Sequence, residues 1–598
     1  MKKLVCILVV MMMGIFLCPV YSSEEYTRGS KMTEDLLSMI DSIEAGEAIS
    51  VYVYLYDLDD DNIMEEFAKK YPVEYNEYCL AMFGYIEVDG TVRSGASKID
   101  LPMLQKAIKA KRSLYAEKYY NRNKSLIDKY FESEEILFVS KYSPMIIASI
   151  NKETLYQIEA SKLVQEIALF SDDEYHPELQ NANIMSGAAA VRNGGYKGAG
   201  IIMGQLEQSL PDIGHSDLQY VNKRTNGSYG TDAEKLHATK VARIMVGHQN
   251  GITPQADLYS ASFNNTLALY EKAEWLITEG VNIINMSTGG STTGKYDSVC
   301  KWMDHIAYKH NVHVVKSAGN TGQYISSPGM AYNIITVGGF NDKNNTNAAD
   351  DEKYTNSSYL EYASSARPEK PNLIADAVNV YVGENSTGTS FAAAQVSGVI
   401  AQLCSADNSL LVRQSEMGAI LATGSTYKLE GETAGHYYCD FISSVRVVGS
   451  SQISIFEGAG KLNASNSLTA ATNGKHSRAV INTEDFPYTI TEHLTSSSSI
   501  PTRIAIFWLK RNSFSSSVPS SAHPSCTPTC IPISNLTLKV YAPNGTQVAI
   551  SNTSYSNFEI VQFYPTQTGN YRIVISKASS NSSSKEYVGI SVLGNTSP

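Results

Sequence analysis

Hydrophobic and polar positions alternate in three different ways along the chain. Ile49-Ser-Val-Tyr-Val-Tyr-Leu-Tyr56 repeats every second residue, as a strand does, and helical spacing follows from Ile63 to Tyr71. A long charged helix is expected from Leu101 to about Tyr130, then a strand at Met145–Ile150, a helix at Glu153–Ala160 and a strand at Val164–Phe170. These elements predict a small α+β unit over residues 24–175. Over residues 180–465 short apolar runs alternate with amphipathic helices, the pattern of a doubly wound parallel sheet. Its expected strands include Ile201 to Glu207, Asp257–Ser262, Val281–Ser287 and Asn333–Gly339, and its helices Leu269–Glu279 and Tyr296–His310. Beyond about residue 470 Ser, Thr and Asn dominate. Short strands at Ile504–Trp508, Leu536–Tyr541, Phe558–Phe563 and Tyr571–Ile575, punctuated by Ala-Pro-Asn-Gly545, predict a β-sandwich over 475–598.

Three stretches carry candidate chemistry. In Asn385 to Leu403 a Gly-Thr-Ser turn runs into an Ala-rich apolar helix, placing the Ser390 hydroxyl at the positive end of a buried helix. Such a position suits a nucleophile, because charge developing on an attacked carbonyl is stabilised there. A Ser/Thr cap on an ordinary core helix reads equally well from this stretch alone. Upstream, apolar residues at Ala238, Val241, Ala242, Met245 and Val246 make His237 the opening residue of an inward-packing helix. Further upstream, Gly198 to Glu207 reads as a glycine turn and a short buried strand ending on a carboxylate.

Acid, base and hydroxyl in this order resemble the subtilisin-like serine peptidases, the subtilases. Gly388-Thr-Ser-Phe-Ala392 matches their G-T-S-x-A, and His237-Ala-Thr matches H-G-T with one change. Asn285-Met-Ser-Thr-Gly-Gly290 resembles the strand that lies along bound substrate, and Val314 to Asn320 the strand whose last Asn serves the oxyanion hole. The resemblance implies Glu207, His237 and Ser390 as catalytic triad, Asn320 in the oxyanion hole, and Ser287, Thr288 and Gly289 along the peptide. It implies protein or peptide substrates and a reaction that requires no cofactor. Structural calcium sites in the family are too scattered to assign here.

The chief departure is Glu207, where the family carries Asp; the charge is kept, but the carboxylate moves by about a bond length. Asp212 and Asp217 lie nearby in sequence as alternatives. The 24–175 unit resembles an inhibitory pro-segment, with cleavage expected in the polar tail Ser171–Gln180; a permanent accessory domain is the other reading. The last unit is similar to the pre-peptidase C-terminal modules of secreted peptidases. A catalytically silent subtilase-like binding or surface protein is the competing functional class, against which stands the presence of Ser, His and Asn together.

Composition narrows the setting. With 43% hydrophobic and 18% charged residues the chain is globular, and a net charge of −12 argues against nucleic acid or an anionic membrane as partner. Met-Lys-Lys, the apolar run Leu4–Val20 and small residues at Ser22 and Ser23 read as a secretory signal over residues 1–22, with a membrane anchor as the alternative. The expected setting is secreted or extracellular, with no stable membrane anchor once the signal is removed. The cysteines are scattered, so no disulfide framework is read, although Cys526-Thr-Pro-Thr-Cys530 is spaced to close a tight loop. The acidic run Asp57–Asp61 lacks the glycine and the Glu of a calcium loop and is read as a solvated helix start. No oligomeric state is indicated.

Overall fold

The computed structural model describes residues 31–40, 47–88, 91–94, 99–172, 176–177, 187–345, 350–360, 368–382, 384–426, 456–511, 533–553, 555–578 and 585–594. The expected signal segment and the Cys526–Cys530 pair lie outside the described residues, as does most of the expected cleavage stretch.

The central sheet has eight strands. Its parallel strands run in the order Lys223–Asn226, Asp257–Ser262, Ile202–Glu207, Ile283–Met286, His313–Ser317, Ile335–Asn341 and Leu373–Asp376. Only the short Glu352–Lys353 strand pairs antiparallel. Because helices cover both faces, the inner parallel strands are buried almost throughout, whereas the edge strand Lys223–Asn226 is polar and partly exposed. The helices Asp232–Val246 and Thr389–Ala406 share one core with the sheet, and Thr266–Thr278 and Ser298–His310 share another. The strand Ile202–Glu207, first of the sheet in sequence, lies between the third and fourth, so strand order reverses beside it. Ligands of open α/β sheets bind at such a reversal, beyond the carboxyl ends of the strands.

The N-terminal unit is an antiparallel sheet in the order Ile136–Val139, Met145–Ile150, Ile49–Leu55, Val164–Leu169. Alternation sorts its residues between two cores. Val51, Val53 and Leu55 pack with Leu36 and Leu126 inside the unit, whereas Tyr52 and Tyr54 face Tyr270 and Trp302 of the central domain's two covering helices. The phenol oxygens of Tyr52 and Tyr270 lie 3.2 Å apart.

The helix Leu101–Tyr130 has the expected bounds but is not merely a charged surface helix. Arg112, 1% exposed, lies across the ends of both covering helices. Its Nε donates to His310 O (2.8 Å), Nη1 to Val281 O (2.9 Å) and Nη2 to Asn311 O (3.2 Å). A guanidinium there satisfies orphan carbonyls and complements the negative helix ends. Arg112→Met is expected to cost roughly 3 kcal/mol, since those buried acceptors lose charged donors. Urea unfolding of the full chain measures this.

The reading of Asp57–Asp61 as solvated is corrected by the same interface. Asp59 does cap the helix Asp60–Lys70. Asp57, however, is buried, accepting from Tyr119 Oη and pairing at 2.9 Å with Lys309 of the central domain, which also meets Asp60 at 2.7 Å. The sequence pattern shows a helix start but not the cation from a distant helix that draws two of its carboxylates inward.

The last unit comprises two four-stranded antiparallel sheets. One holds His476–Asn482, Lys585–Leu593, Thr502–Trp508 and Phe558–Phe563; the other holds Tyr488–Leu494, Gly569–Lys577, Leu536–Tyr541 and Gln547–Ser551. Their inward residues, among them Trp508, Ile590, Val540 and Tyr571, share one core. Asn333 and Asn557 tie this unit to the central domain, donating to Lys510 O (2.7 Å) and Tyr332 O (2.8 Å).

Candidate active site

Glu207 is the last residue of its strand, 1% exposed, at the point where strand order reverses. Its Oε1 accepts from the Ser287 backbone N–H at 2.9 Å, and its Oε2 stands 3.5 Å from His237 Nδ1. The bond from Ser287 fixes the longer side chain so that its second oxygen faces the ring. Neither sequence alternative competes for the imidazole. Asp217 is engaged by Arg243 Nε (3.1 Å) and the Gln249 N–H (2.8 Å), and Asp212 lies 3.7 Å from Lys235.

His237 does not open its helix. The helix runs from Asp232 to Val246, started by a capping box in which Thr231 and Glu234 satisfy each other's backbone N–H groups, so His237 falls in the second turn. Thr231-Asp-Ala-Glu234 is legible as a start signal; the apolar spacing, which begins only at Ala238, concealed it. Gln205 Nε2 donates to Ala238 O at 2.7 Å, tying the strand that ends on Glu207 to the helix that carries His237. The ring lies 5.7 Å from that of Phe391 and is 2% exposed. Among the described residues His237 Nε2 has no hydrogen-bond partner.

Glu207 Oε2 is on the Nδ1 side of the ring, so it favours the tautomer with the proton on Nδ1 and the lone pair on Nε2. Burial pushes the imidazole down to about 4, with the positive charge of Lys240 one turn along as the second cause. At neutral pH the ring is therefore uncharged and able to accept a proton. Lys240 is itself held by Glu384 at 2.5 Å. Lys240→Gln removes the cation that disfavours imidazolium, so the titration midpoint of His237 is expected to rise, yet to stay below 6.5 because burial is unchanged. Imidazole resonances followed by NMR through acid pH give this directly.

Ser390 is the second residue of the helix Thr389–Ala406. Gly388 precedes it at φ 156°, ψ 151°, a region open essentially to glycine alone, which explains the residue type at this turn. Ser390 is fully buried, its Oγ donating to Ser287 O at 3.0 Å, while Ser287 Oγ donates back to Ser390 O at 2.9 Å. Ser287 therefore touches the acid through its N–H and the serine through its carbonyl and hydroxyl. Sequence reasoning placed Ser287 along a substrate and missed this linking role. The motif Asn-Met-Ser gave its position but no sign of what its backbone would meet.

Asn320 follows the strand His313–Ser317. Its Oδ1 accepts from Thr389 N (2.9 Å) and Thr389 Oγ1 (3.0 Å), which directs the donor end of the amide away from Thr389. Thr389 Oγ1 also accepts from the Gly319 N–H at 3.2 Å. The segment Ser287–Gly289 is buried, and Thr288 and Gly289 pair antiparallel with Pro177 and His176 of the N-terminal part of the chain. The backbone position expected to carry a peptide strand thus carries one from the same chain. Among the described residues no three His, Cys, Asp or Glu side chains gather as metal ligands.

Comparison with known proteins bears on this arrangement. A family model described as "Subtilase family" matches residues 125–437, just over half of the chain. Subtilisin DY of Bacillus licheniformis is 30% identical over 179 residues, covering 26% of this chain and 63% of that protein, less than two thirds of its length. Serine protease AprX of Bacillus subtilis (strain 168) is 27% identical over 362 residues, covering 50% of this chain and 80% of the other. Among solved structures, that of the prenylagaramide maturation protease PagA aligns with a TM-score of 0.38 at 20% identity, over 48% of this chain and 98% of that one. That of the patellamide maturation protease PatA aligns with a TM-score of 0.35 at 23% identity, over 46% and 97%.

Proposed function

The chain belongs to the subtilase family, and on that premise we propose that it is a secreted serine endopeptidase, made as a zymogen that cuts itself. The observation that carries the proposal is the chain of contacts from acid to nucleophile: His237 Nδ1 to Glu207 to the Ser287 N–H, and Ser287 O to Ser390 Oγ. When a peptide carbonyl reaches the site, Ser390 Oγ turns from Ser287 O toward His237 Nε2, gives up its proton there and attacks the carbon. Glu207 holds the reacting tautomer and stabilises the imidazolium. The Asn320 amide and the Ser390 backbone N–H receive the oxyanion, a contribution of about 3 to 4 kcal/mol for the side-chain donor. The imidazolium then protonates the leaving amine, and water enters by the reverse path to release the acyl group.

Peptide adds as a strand on Ser287–Gly289, where main-chain bonds hold it regardless of sequence. The pairing of His176–Pro177 with this edge supports reading residues 24–175 as a pro-segment whose tail fills the cleft until it is cut. The opening apolar segment supports export. Among the described residues no helix is long and apolar enough to cross a membrane. N-terminal sequencing of the purified product tests the zymogen reading: the new terminus is expected within the Ser171–Gln180 stretch. A product that keeps residue 24 onward, from a chain that hydrolyses peptides, would show the N-terminal unit to be permanent.

A further inference from the structure

Away from the catalytic centre, a cavity of about 380 Å³ opens where all three parts of the chain meet. Its walls come from the helices Asp60–Lys70, Pro72–Phe83 and Leu101–Tyr130, the end of Ser298–His310, and the strands His476–Asn482 and Lys585–Leu593. Its volume falls within the range that holds small-molecule ligands.

The lining has an unusual charge pattern for a chain of net charge −12. Lys309 is matched by Asp57 and Asp60. Lys111 and Arg478 are not so matched: among the described residues neither forms an ion pair with a carboxylate. Lys111 Nζ, on a side chain 6% exposed, donates only to neutral acceptors, namely Tyr78 Oη (2.9 Å), Lys309 O (3.0 Å) and Asn311 Oδ1 (2.8 Å). Arg478 donates to Met82 O at 2.9 Å and lies over the Tyr587 and Phe83 rings, 4.4 and 5.4 Å from their centres. Burial, together with Arg112, Lys309 and Arg478 as neighbouring cations, pushes Lys111 down to about 7 against the opposing pull of Asp60. Four cationic side chains, Lys111, Lys309, Arg478 and Lys585, thus border the cavity against two carboxylates, Asp60 and Asp61, an excess of positive charge that favours an anion.

The remaining walls are aromatic. Tyr75, Tyr78, Tyr115, Tyr308 and Tyr587 all border the cavity. Rings of this kind offer flat apolar surface together with hydroxyls, and suit a planar body rather than a bare ion. We propose that this three-way junction is a binding site for a small aromatic anion, its carboxylate or phosphate held at Arg478 and drawn by the other cations of the lining, and its ring laid among the tyrosines. Its occupant bridges the N-terminal unit, the central domain and the β-sheet unit, so binding stabilises the assembled chain by linkage.

The test is isothermal titration of the full-length Ser390→Ala protein, which keeps the three parts on one chain, with phenyl phosphate as probe. Inorganic phosphate and the cationic benzamidine serve as comparisons. Expected are saturable one-site binding of phenyl phosphate with a raised Tm, weaker binding of inorganic phosphate, and none of benzamidine. Arg478→Gln should weaken phenyl phosphate by about 10-fold or more, the loss of one charge-assisted contact. Val480→Trp keeps every charge and narrows the rim at an exposed position, and should weaken it similarly; this variant decides the matter if Arg478→Gln does not fold. Absence of saturable binding, affinity unchanged in the folded variants, or equal binding of benzamidine overturns the proposal.

Discussion

Ser390→Ala is expected to lower kcat for peptide hydrolysis by about 10⁶-fold and to leave the chain at its uncut length. The oxygen removed is the only atom of this side chain that can form the acyl bond, and its neighbours are not suited to replace it. Ser287 Oγ is already donating to Ser390 O. Thr389 Oγ1 is donating to Asn320 Oδ1. Structure should survive, because alanine fits the space of the fully buried Ser390, whose Oγ donates to Ser287 O. Mass spectrometry of the purified product and a peptide assay read the two effects separately. Residual hydrolysis above that of water comes from binding and the oxyanion hole. A variant that still sheds its first 170 or so residues in a protease-free host would show that another enzyme makes the cut.

Glu207→Gln should cost about 10⁴-fold in kcat, by removing the negative charge and presenting an amide that stabilises the wrong tautomer of His237. Glu207→Asp separates charge from reach. The family's usual acid withdraws the carboxylate by about a bond length from a ring it now approaches at 3.5 Å, and the Ser287 N–H bond would have to be remade. A loss of about 10²-fold is expected, of the size that a misplacement of about 1 Å produces. The order wild type, then Asp, then Gln follows from the present geometry. Asp exceeding wild type would mean that the strand carries its acid too far forward.

Much of the central domain is legible in sequence because a parallel sheet buried on both faces writes its inner strands as largely apolar runs. Asp257–Ser262 has the bounds expected of it, and Glu207 ends its strand. The helix Leu101–Tyr130 is equally clear in outline. What stays hidden depends on contacts between parts far apart in the chain. No local pattern announces that Arg112 closes two helices of another unit, or that Lys309 draws Asp57 inward. Ser287 is the corresponding case at the site. The motif supplies its position, but its joining of Glu207 to Ser390 requires the reversal of strand order, which only the assembled sheet contains. The placement of His237 failed for a local reason, since apolar spacing marks where a helix becomes buried and capping residues mark where it begins.

The most direct measurement is the ¹⁵N shift pair of the His237 imidazole at pH 7, taken on the Ser390→Ala chain and assigned by its change in Glu207→Gln. A neutral ring with the proton on Nδ1 and a bare Nε2 is the predicted state, lost or mixed when Glu207 becomes Gln. A ring protonated on Nε2, or one indifferent to Glu207→Gln, would contradict Glu207 as the partner of the base.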